Sequence, residues 1–252
     1  MRHLRDSRKR SGKSLRPSDP KPNRSASDRY FIVEPGDERR STILLEGSEF
    51  HHCVQVSRAR VGDVVKLLDG RGGTYEARIA RIGAREASLD VISFFRAACP
   101  PPVDLAIGIV KAPRFDLAVE KCTEIGVRRL IPFGAARSVW RSAGGAADLK
   151  IERIRRKIAA SCKQSGRAFF PGIDRIESFE SLVGSMGGYA AVFVADQASA
   201  AACPDLDRIG DAAVLGSVGP EGGVSRGEME RLLAGGAKPR SLGPFRLRTE
   251  TA

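Results

Sequence analysis

The residues best suited to chemistry in this sequence lie in two stretches near its C-terminal end. The first, Val214-Leu-Gly-Ser-Val-Gly-Pro-Glu-Gly-Gly-Val-Ser-Arg-Gly-Glu228, is an apolar run that breaks into glycine and proline. It restarts as a helix at Ser225, with Glu228 three residues on in the S-x-x-E capping arrangement. Glycines such as Gly216, Gly219, Gly222 and Gly223 carry no Cβ, so bare backbone amides and carbonyls can approach a ligand. The start of the following helix presents free N–H groups to the same place. The second stretch, Leu242-Gly-Pro-Phe-Arg-Leu-Arg-Thr-Glu-Thr-Ala252, again breaks a strand end with glycine and proline and adds Arg246, Arg248 and Glu250. Either alone is compatible with plain turn punctuation. The second loop tips the balance towards a ligand site.

Such loops need a scaffold, and the preceding pattern supplies one. Beyond residue 103, strand-like and helix-like segments alternate: strands at 104–110, 129–133, 190–195 and 212–218, helices at 115–125 and 148–164. In the first helix Phe115, Ala118, Val119, Cys122 and Ile125 share one face, and Gly126 stops it. This alternation predicts an α/β domain over residues 104–252 with a mostly parallel sheet. Residues 96–103 contain Pro100, Pro101 and Pro102, a stiff linker. Before it, residues 29–95 alternate apolar and polar residues at 30–33, 42–45, 64–68, 74–82 and 87–94, with turn signals between, which predicts a small β-barrel.

The composition restricts the partners. Of 252 residues, 42 are Lys or Arg and 30 are Asp or Glu, a formal net charge of +12 that favours an anionic partner. Residues 1–28 hold nine basic and three acidic residues with few large apolar ones; the expectation is a disordered basic leader, as compatible with an RNA-seeking arm as with a solvated extension. Five cysteines, Cys53, Cys99, Cys122, Cys162 and Cys203, are widely spaced with no C-x-x-C, which predicts reduced thiols rather than disulfides or zinc. No apolar run approaches a membrane span. His51 and His52 lack the companions a metal site requires, so no metal is expected. A soluble cytoplasmic protein is the expectation.

The pair Gly219-Pro-Glu-Gly-Gly223 and Leu242-Gly-Pro…Leu247-Arg-Thr-Glu-Thr-Ala252 resembles the signature of the RsmE family, SPOUT-superfamily methyltransferases that methylate N3 of a uridine in 16S rRNA. Further upstream, Lys111…Lys121-Cys-Thr-Glu-Ile-Gly-Val127 is similar to the family's lysine followed by K-x-x-E-L-G-V, with Ile125 for leucine. The segment His52…Val56-Ser-Arg58-Ala-Arg60-Val-Gly-Asp63 resembles its PUA-like RNA-binding motif, with Ser57 for leucine. The resemblance covers residues 29–252.

What the resemblance implies is a PUA-like β-barrel followed by a SPOUT domain with a deep trefoil knot, whose loops hold S-adenosylmethionine. By that implication Leu215, Gly216, Gly219, Pro220, Glu221, Gly222, Leu242, Gly243, Leu247, Thr249 and Glu250 hold the cofactor. Methyl transfer to N3 requires loss of the N3 proton, so an arginine near O2 or O4 would stabilise the anion. Arg248 and secondarily Arg246 are the candidates, while Glu221 and Glu250 either accept the proton or hold loop amides. Arg29, His52, Arg58, Arg60, Lys111, Arg137 and Arg167 are the RNA-binding candidates, and Glu124 and Gln164 are assigned to helix ends or a subunit contact. The implied partners are 16S rRNA or the small ribosomal subunit, and a second copy in a homodimer. Members of the family continue past their T-E-T-A with a further helical turn or two that helps to close the knot, whereas this sequence ends at Ala252, a departure that bears on cofactor affinity and stability.

Other readings stay open at this point. A SPOUT enzyme for another RNA and a non-catalytic RNA-binding protein both fit the basic charge. A ribose methyltransferase is disfavoured because the sole asparagine is Asn23, and a dinucleotide enzyme because no G-x-G-x-x-G opens the α/β segment.

Overall fold

The computed structural model describes residues 29–36, 39–138, 146–201 and 212–252; the expected leader and Cys203 lie outside the described residues. Alternating side chains build the N-terminal sheet from β1 (Tyr30–Ile32), β2 (Thr42–Glu46), β3 (Val64–Leu68), β4 (Gly73–Ile82) and β5 (Glu86–Arg96), in the order β1-β3-β4-β5-β2. Phe31 on one edge strand and Ile43 on the other pack into the same core as Leu67, Tyr75 and Leu89. The sheet therefore curls around one interior, although β1 and β2 are its two ends.

The segment between the predicted strands at 42–45 and 64–68 begins as helix. Between β2 and β3 the chain forms α1 (Gly47–His51), which runs on as a π-helical turn, His52–Val56. That turn buries Cys53 and delivers the chain to Arg58, which sits at φ 53, the one non-glycine residue with positive φ among those described.

The second sheet is built from β6 (Val103–Gly108), α2 (Ala112–Ile125), β7 (Arg129–Gly134), α3 (Ala146–Ser165), β8 (Glu177–Ser178), α4 (Phe179–Ser185), β9 (Ala191–Ala195), β10 (Val214–Val218), α5 (Arg226–Ala234) and β11 (Lys238–Arg240). Its order is β11-β9-β10-β6-β7-β8, and every ladder is parallel. Parallel strands covered on both faces read as apolar runs. Ile107 of β6 packs with Phe115, Val119, Ile154 and Ile158 of α2 and α3, while its neighbour Ala106 packs with Phe179, Leu182 and Leu232 of α4 and α5. Asp104, 1% exposed at the base of β6, accepts from Arg128 at 2.7 and 2.8 Å and from the Tyr189 hydroxyl at 2.8 Å.

Helix α2 begins earlier than its apolar period suggests because Pro113 suits the first turn, whose amides have no intrahelical acceptor. Phe115, Ala118, Val119 and Cys122 are buried as the spacing predicts. Ile125 is not: it is 79% exposed, at the last position before Gly126 takes the left-handed C-cap, where no neighbouring element among the described residues covers it.

A backbone seam joins the two sheets. The Gly72 amide donates to the Ala168 carbonyl at 3.0 Å, the Phe170 amide donates to the Gly70 carbonyl at 3.1 Å, and Arg71 and Phe169 form an antiparallel bridge. Gly72 sits at φ +96, and a Cβ there would lie 2.4 Å from Phe169 Cζ, so the close approach requires glycine. Nearby, Lys163 of α3 is paired with Glu49 of α1 at 2.8 Å.

Candidate active site

The loops after β9, β10 and β11 surround a cavity of about 480 Å³ at the carboxyl ends of the parallel strands. Open α/β sheets place their ligands at that edge. Residues 219–223 form its floor: the Gly223 amide donates to the Pro220 carbonyl at 2.7 Å, closing a tight turn that leaves Gly223 at φ +69. Beneath the turn lies Gly108 at the end of β6, where a Cβ would sit 2.5 Å from both the nitrogen and Cδ of Pro220. The loop reaches this depth only because that position has no side chain.

Helix α5 fixes the far side. Ser225 Oγ accepts from the Glu228 amide at 3.3 Å and Glu228 Oε2 accepts from the Ser225 amide at 2.8 Å, the expected capping box. The other carboxylate oxygen of Glu228 accepts from the Ala136 amide at 2.7 Å, tying the segment after β7 to the cap. Burial pushes the Glu228 pKa up, but the Ser225 and Ala136 amides outweigh it and hold the carboxyl below the usual range. Arg137 donates to the Gly222 carbonyl at 2.9 Å.

The second predicted stretch folds back over the first. Thr249 Oγ1 donates to the Gly219 carbonyl at 3.2 Å, and the amides of Thr251 and Ala252 both donate to the Arg248 carbonyl at 2.9 Å. Arg114, from the first turn of α2, reaches into the gap between the loops. Its Nη1 donates to Glu221 Oε1 at 2.8 Å, and its Nε lies 3.9 Å from Glu250 Oε1. The remaining oxygens, Glu221 Oε2 and Glu250 Oε2, are buried with no hydrogen-bond partner. Two carboxylates share one guanidinium, so the cluster carries a net negative charge and two buried acceptors able to receive a cationic or N–H-bearing ligand.

Of the cofactor candidates, Gly219, Pro220, Glu221, Gly222, Leu242, Gly243, Leu247 and Thr249 line the cavity, as do Arg246 and Arg248. Glu250 lies just behind it through Arg114. Leu215 and Gly216 do not line it: both belong to β10, where Leu215 is 1% exposed in the core and Gly216 faces Leu105. Their apolar strand supports the loop from below. Sequence reasoning missed Arg114, Gly108 and the segment 195–197, which comes from the end of β9.

The RNA candidates divide. Arg29, Arg58 and Arg60 are exposed and grouped: the Arg29 guanidinium donates to the Ser57 carbonyl next to Arg58, and Asp63 Oδ2 accepts from the Arg60 amide at 2.9 Å. Lys111 and Arg137 are exposed beside the cavity's helices. His52 is instead the packed member of its pair, its ring 5.4 Å from that of Phe31 and its Nδ1 buried, while His51 is exposed. The Arg167 guanidinium is likewise occupied within the fold. It donates to the Thr123 and Val127 carbonyls, both at 2.6 Å, and burial pulls its pKa down, so its fork closes the C-terminal end of α2. Glu124 pairs with Lys121 at 2.9 Å.

The three buried cysteines are poor nucleophiles. Burial raises Cys53 and Cys122 to about 11 and Cys162 to about 12, so none is a thiolate near neutrality. Among the described residues there is no cluster of metal-ligand type.

Comparison with known proteins agrees with this geometry. The profile of the RNA methyltransferase domain matches residues 98–252, and that of the RNA methyltransferase PUA domain matches residues 45–92. The sequence is 30% identical to the ribosomal RNA small subunit methyltransferase E of Mycobacterium tuberculosis, over 88% of this chain and 87% of that one. It is also 30% identical to the Bacillus subtilis protein of the same name, over 89% and 92%. Among solved structures, a probable rRNA-methyltransferase from Porphyromonas gingivalis superposes with a TM-score of 0.71 at 28% identity, covering 88% of this chain and 92% of that one. The Neisseria gonorrhoeae ribosomal RNA small subunit methyltransferase E, solved with S-adenosyl methionine, has the same fold with a TM-score of 0.81 at 24% identity, covering 89% and 92%.

Proposed function

Since this chain belongs to the ribosomal RNA small subunit methyltransferase E family of RNA methyltransferases, we propose that it methylates N3 of a uridine in 16S rRNA with S-adenosylmethionine as donor. The observation that carries the reading is the meeting of residues 219–223 and 242–249 around one cavity, with Arg114, Glu221 and Glu250 at its back. The residues present fit that cofactor: glycine-lined backbone can approach an adenosine, and the net negative charge of the Arg114, Glu221 and Glu250 cluster suits a ligand bearing an ammonium and a sulfonium. When bound, S-adenosylmethionine supplies an electrophilic methyl group for in-line displacement.

The chain's own residues then position and balance charge. Arg248, assisted by Arg246, lies on the cavity wall where it meets the uridine and stabilises the anion left when N3 loses its proton. Glu221 keeps one oxygen on Arg114 and leaves the other to receive that proton. Arg29, Arg58, Arg60, Lys111 and Arg137 hold phosphates of the RNA through counterion release. Residues 29–95 and 104–252 act as two domains divided by the prolines at 96–103, and the return of residues 242–252 to the β10 loop closes the family's trefoil knot. A homodimer in the cytoplasm is the working assembly in this reading, and no helix among the described residues is long and apolar enough to cross a membrane.

The test is transfer of radiolabelled methyl to 16S rRNA and to small subunits lacking the modification, with the product mapped by mass spectrometry. Label at N3 of a uridine supports the reading. Cofactor binding without transfer to either substrate sinks it.

A further inference from the structure

The outward face of the N-terminal sheet meets residues 166–169, just after α3, around a second cavity of about 430 Å³. It shares no lining residue with the methyl-transfer cavity. We propose that this cleft holds one unpaired base of the RNA against the ring of Phe95. The inference rests on the methyltransferase reading and adds to it a contact away from the reacting uridine.

The cleft is built by strand register. Tyr30 pairs with Lys66 across β1 and β3, and Thr74 pairs with Phe95 across β4 and β5, so the period of two sends all four to one face. Phe94, the neighbour of Phe95, turns inward and packs 4.8 Å from the Tyr75 ring in the core. Phe95 remains 66% exposed among the described residues, an aromatic ring at the rim of a cavity. Tyr30 is held in place from the other side: a Cβ at Gly166 would lie 2.8 Å from the Tyr30 hydroxyl oxygen. Phe169 is anchored over Gly72 by the seam. Lys66 Nζ stands 5.6 Å from the Tyr30 ring centroid, so a cation borders the aromatic surface.

Aromatic platforms with a neighbouring cation bind single-stranded nucleic acid by stacking, whatever the base, because every base has a π face. The Arg167 guanidinium in the same wall is committed to the Thr123 and Val127 carbonyls, which leaves stacking rather than phosphate capture as the chemistry of the cleft.

The experiment compares binding of labelled oligouridylate with an abasic ribose-phosphate oligomer of equal length to the full chain, by fluorescence anisotropy. Phe95→Ala is expected to weaken oligouridylate binding about 5- to 100-fold and to leave the abasic oligomer unaffected. Phe95→Trp is expected to retain affinity, and S-adenosylmethionine titration of both variants to match the wild type, showing an intact fold. Unchanged oligouridylate affinity in Phe95→Ala overturns the inference. So does a Phe95→Ala variant whose only change is a lower oligomeric state by sedimentation, which would seat a second copy on this face. Failure of the wild type to methylate 16S rRNA is a separate result and counts against the enzymatic reading.

Discussion

Arg114 and Glu221 lie 107 residues apart in the chain and 2.8 Å apart in space, and their ion pair joins the first turn of α2 to the glycine loop after β10. Glu250 completes the cluster from the C-terminal stretch at 3.9 Å. Removing the guanidinium leaves two mostly buried carboxylates without a cation, so Arg114→Ala is expected to lower affinity for S-adenosylmethionine by about tenfold. Its own half-exposure keeps the loss in folding stability to about 1 kcal/mol. Calorimetric titration measures the first and urea unfolding the second, with Arg114→Lys restoring part of both. Wild-type cofactor affinity in Arg114→Ala would remove the cluster from the binding site.

Arg248 lines the cavity without an ion pair among the described residues. Arg248→Ala is expected to cut single-turnover methylation by about 10²-fold or more while cofactor affinity holds, because its contribution arises as the uridine becomes anionic. Equal loss of cofactor binding and rate would make it a cofactor ligand instead.

Gly108→Ala tests the packing under the loop. With a Cβ 2.5 Å from Pro220 the backbone must shift, which is expected to cost about 1–3 kcal/mol in stability and to loosen cofactor binding together with it. Wild-type values in both measurements would mean the loop is free to ride upward.

Acid should release the α5 cap. The folded carboxyl of Glu228 titrates below its ordinary 4.5, so the stabilisation is complete above that value and is lost as pH falls through the folded pKa. Glu228→Gln is expected to cost about 1–2 kcal/mol at neutral pH, with the difference from wild type closing in acid. A difference constant from neutral pH to below 4 would show that charge plays no part.

Arg167→Ala separates a structural arginine from an RNA contact. Loss of its fork leaves the Thr123 and Val127 carbonyls unpaired and is expected to destabilise the fold by about 1–3 kcal/mol, with no change in the salt dependence of RNA binding. Arg58→Ala should do the reverse. A reduced salt slope in Arg167→Ala would return that residue to the RNA surface.

Much of the site was legible because its backbone demands particular residues. Gly219 through Gly223 and Leu242-Gly-Pro mark strand ends that must turn tightly, and Ser225 with Glu228 announces a helix start from three residues of text. Arg114 and Gly108 were not legible, since their roles arise only when β6 and α2 are laid against a loop more than a hundred residues further on. Arg167 looked like any basic residue after a helix, and nothing local distinguishes a fork aimed at carbonyls from one aimed at phosphate. His52, named as an RNA candidate, packs instead on Phe31, because adjacent histidines in a helical turn face different ways and nothing local says which one turns inward. Leu215 illustrates a third limit: membership of a loop motif does not put a side chain in the cavity when the strand beneath it is still buried.

The seam at Gly70–Gly72 and residues 168–170 gives the molecule the character of a gauge. Because the joint is made largely of backbone hydrogen bonds and a close glycine contact, the span from the Arg29, Arg58 and Arg60 group to the cavity under Gly219 is set by backbone packing. Under the proposed function, an RNA gripped at one end would present a nucleotide at a set reach at the other, and selection among uridines would become partly a matter of measured length.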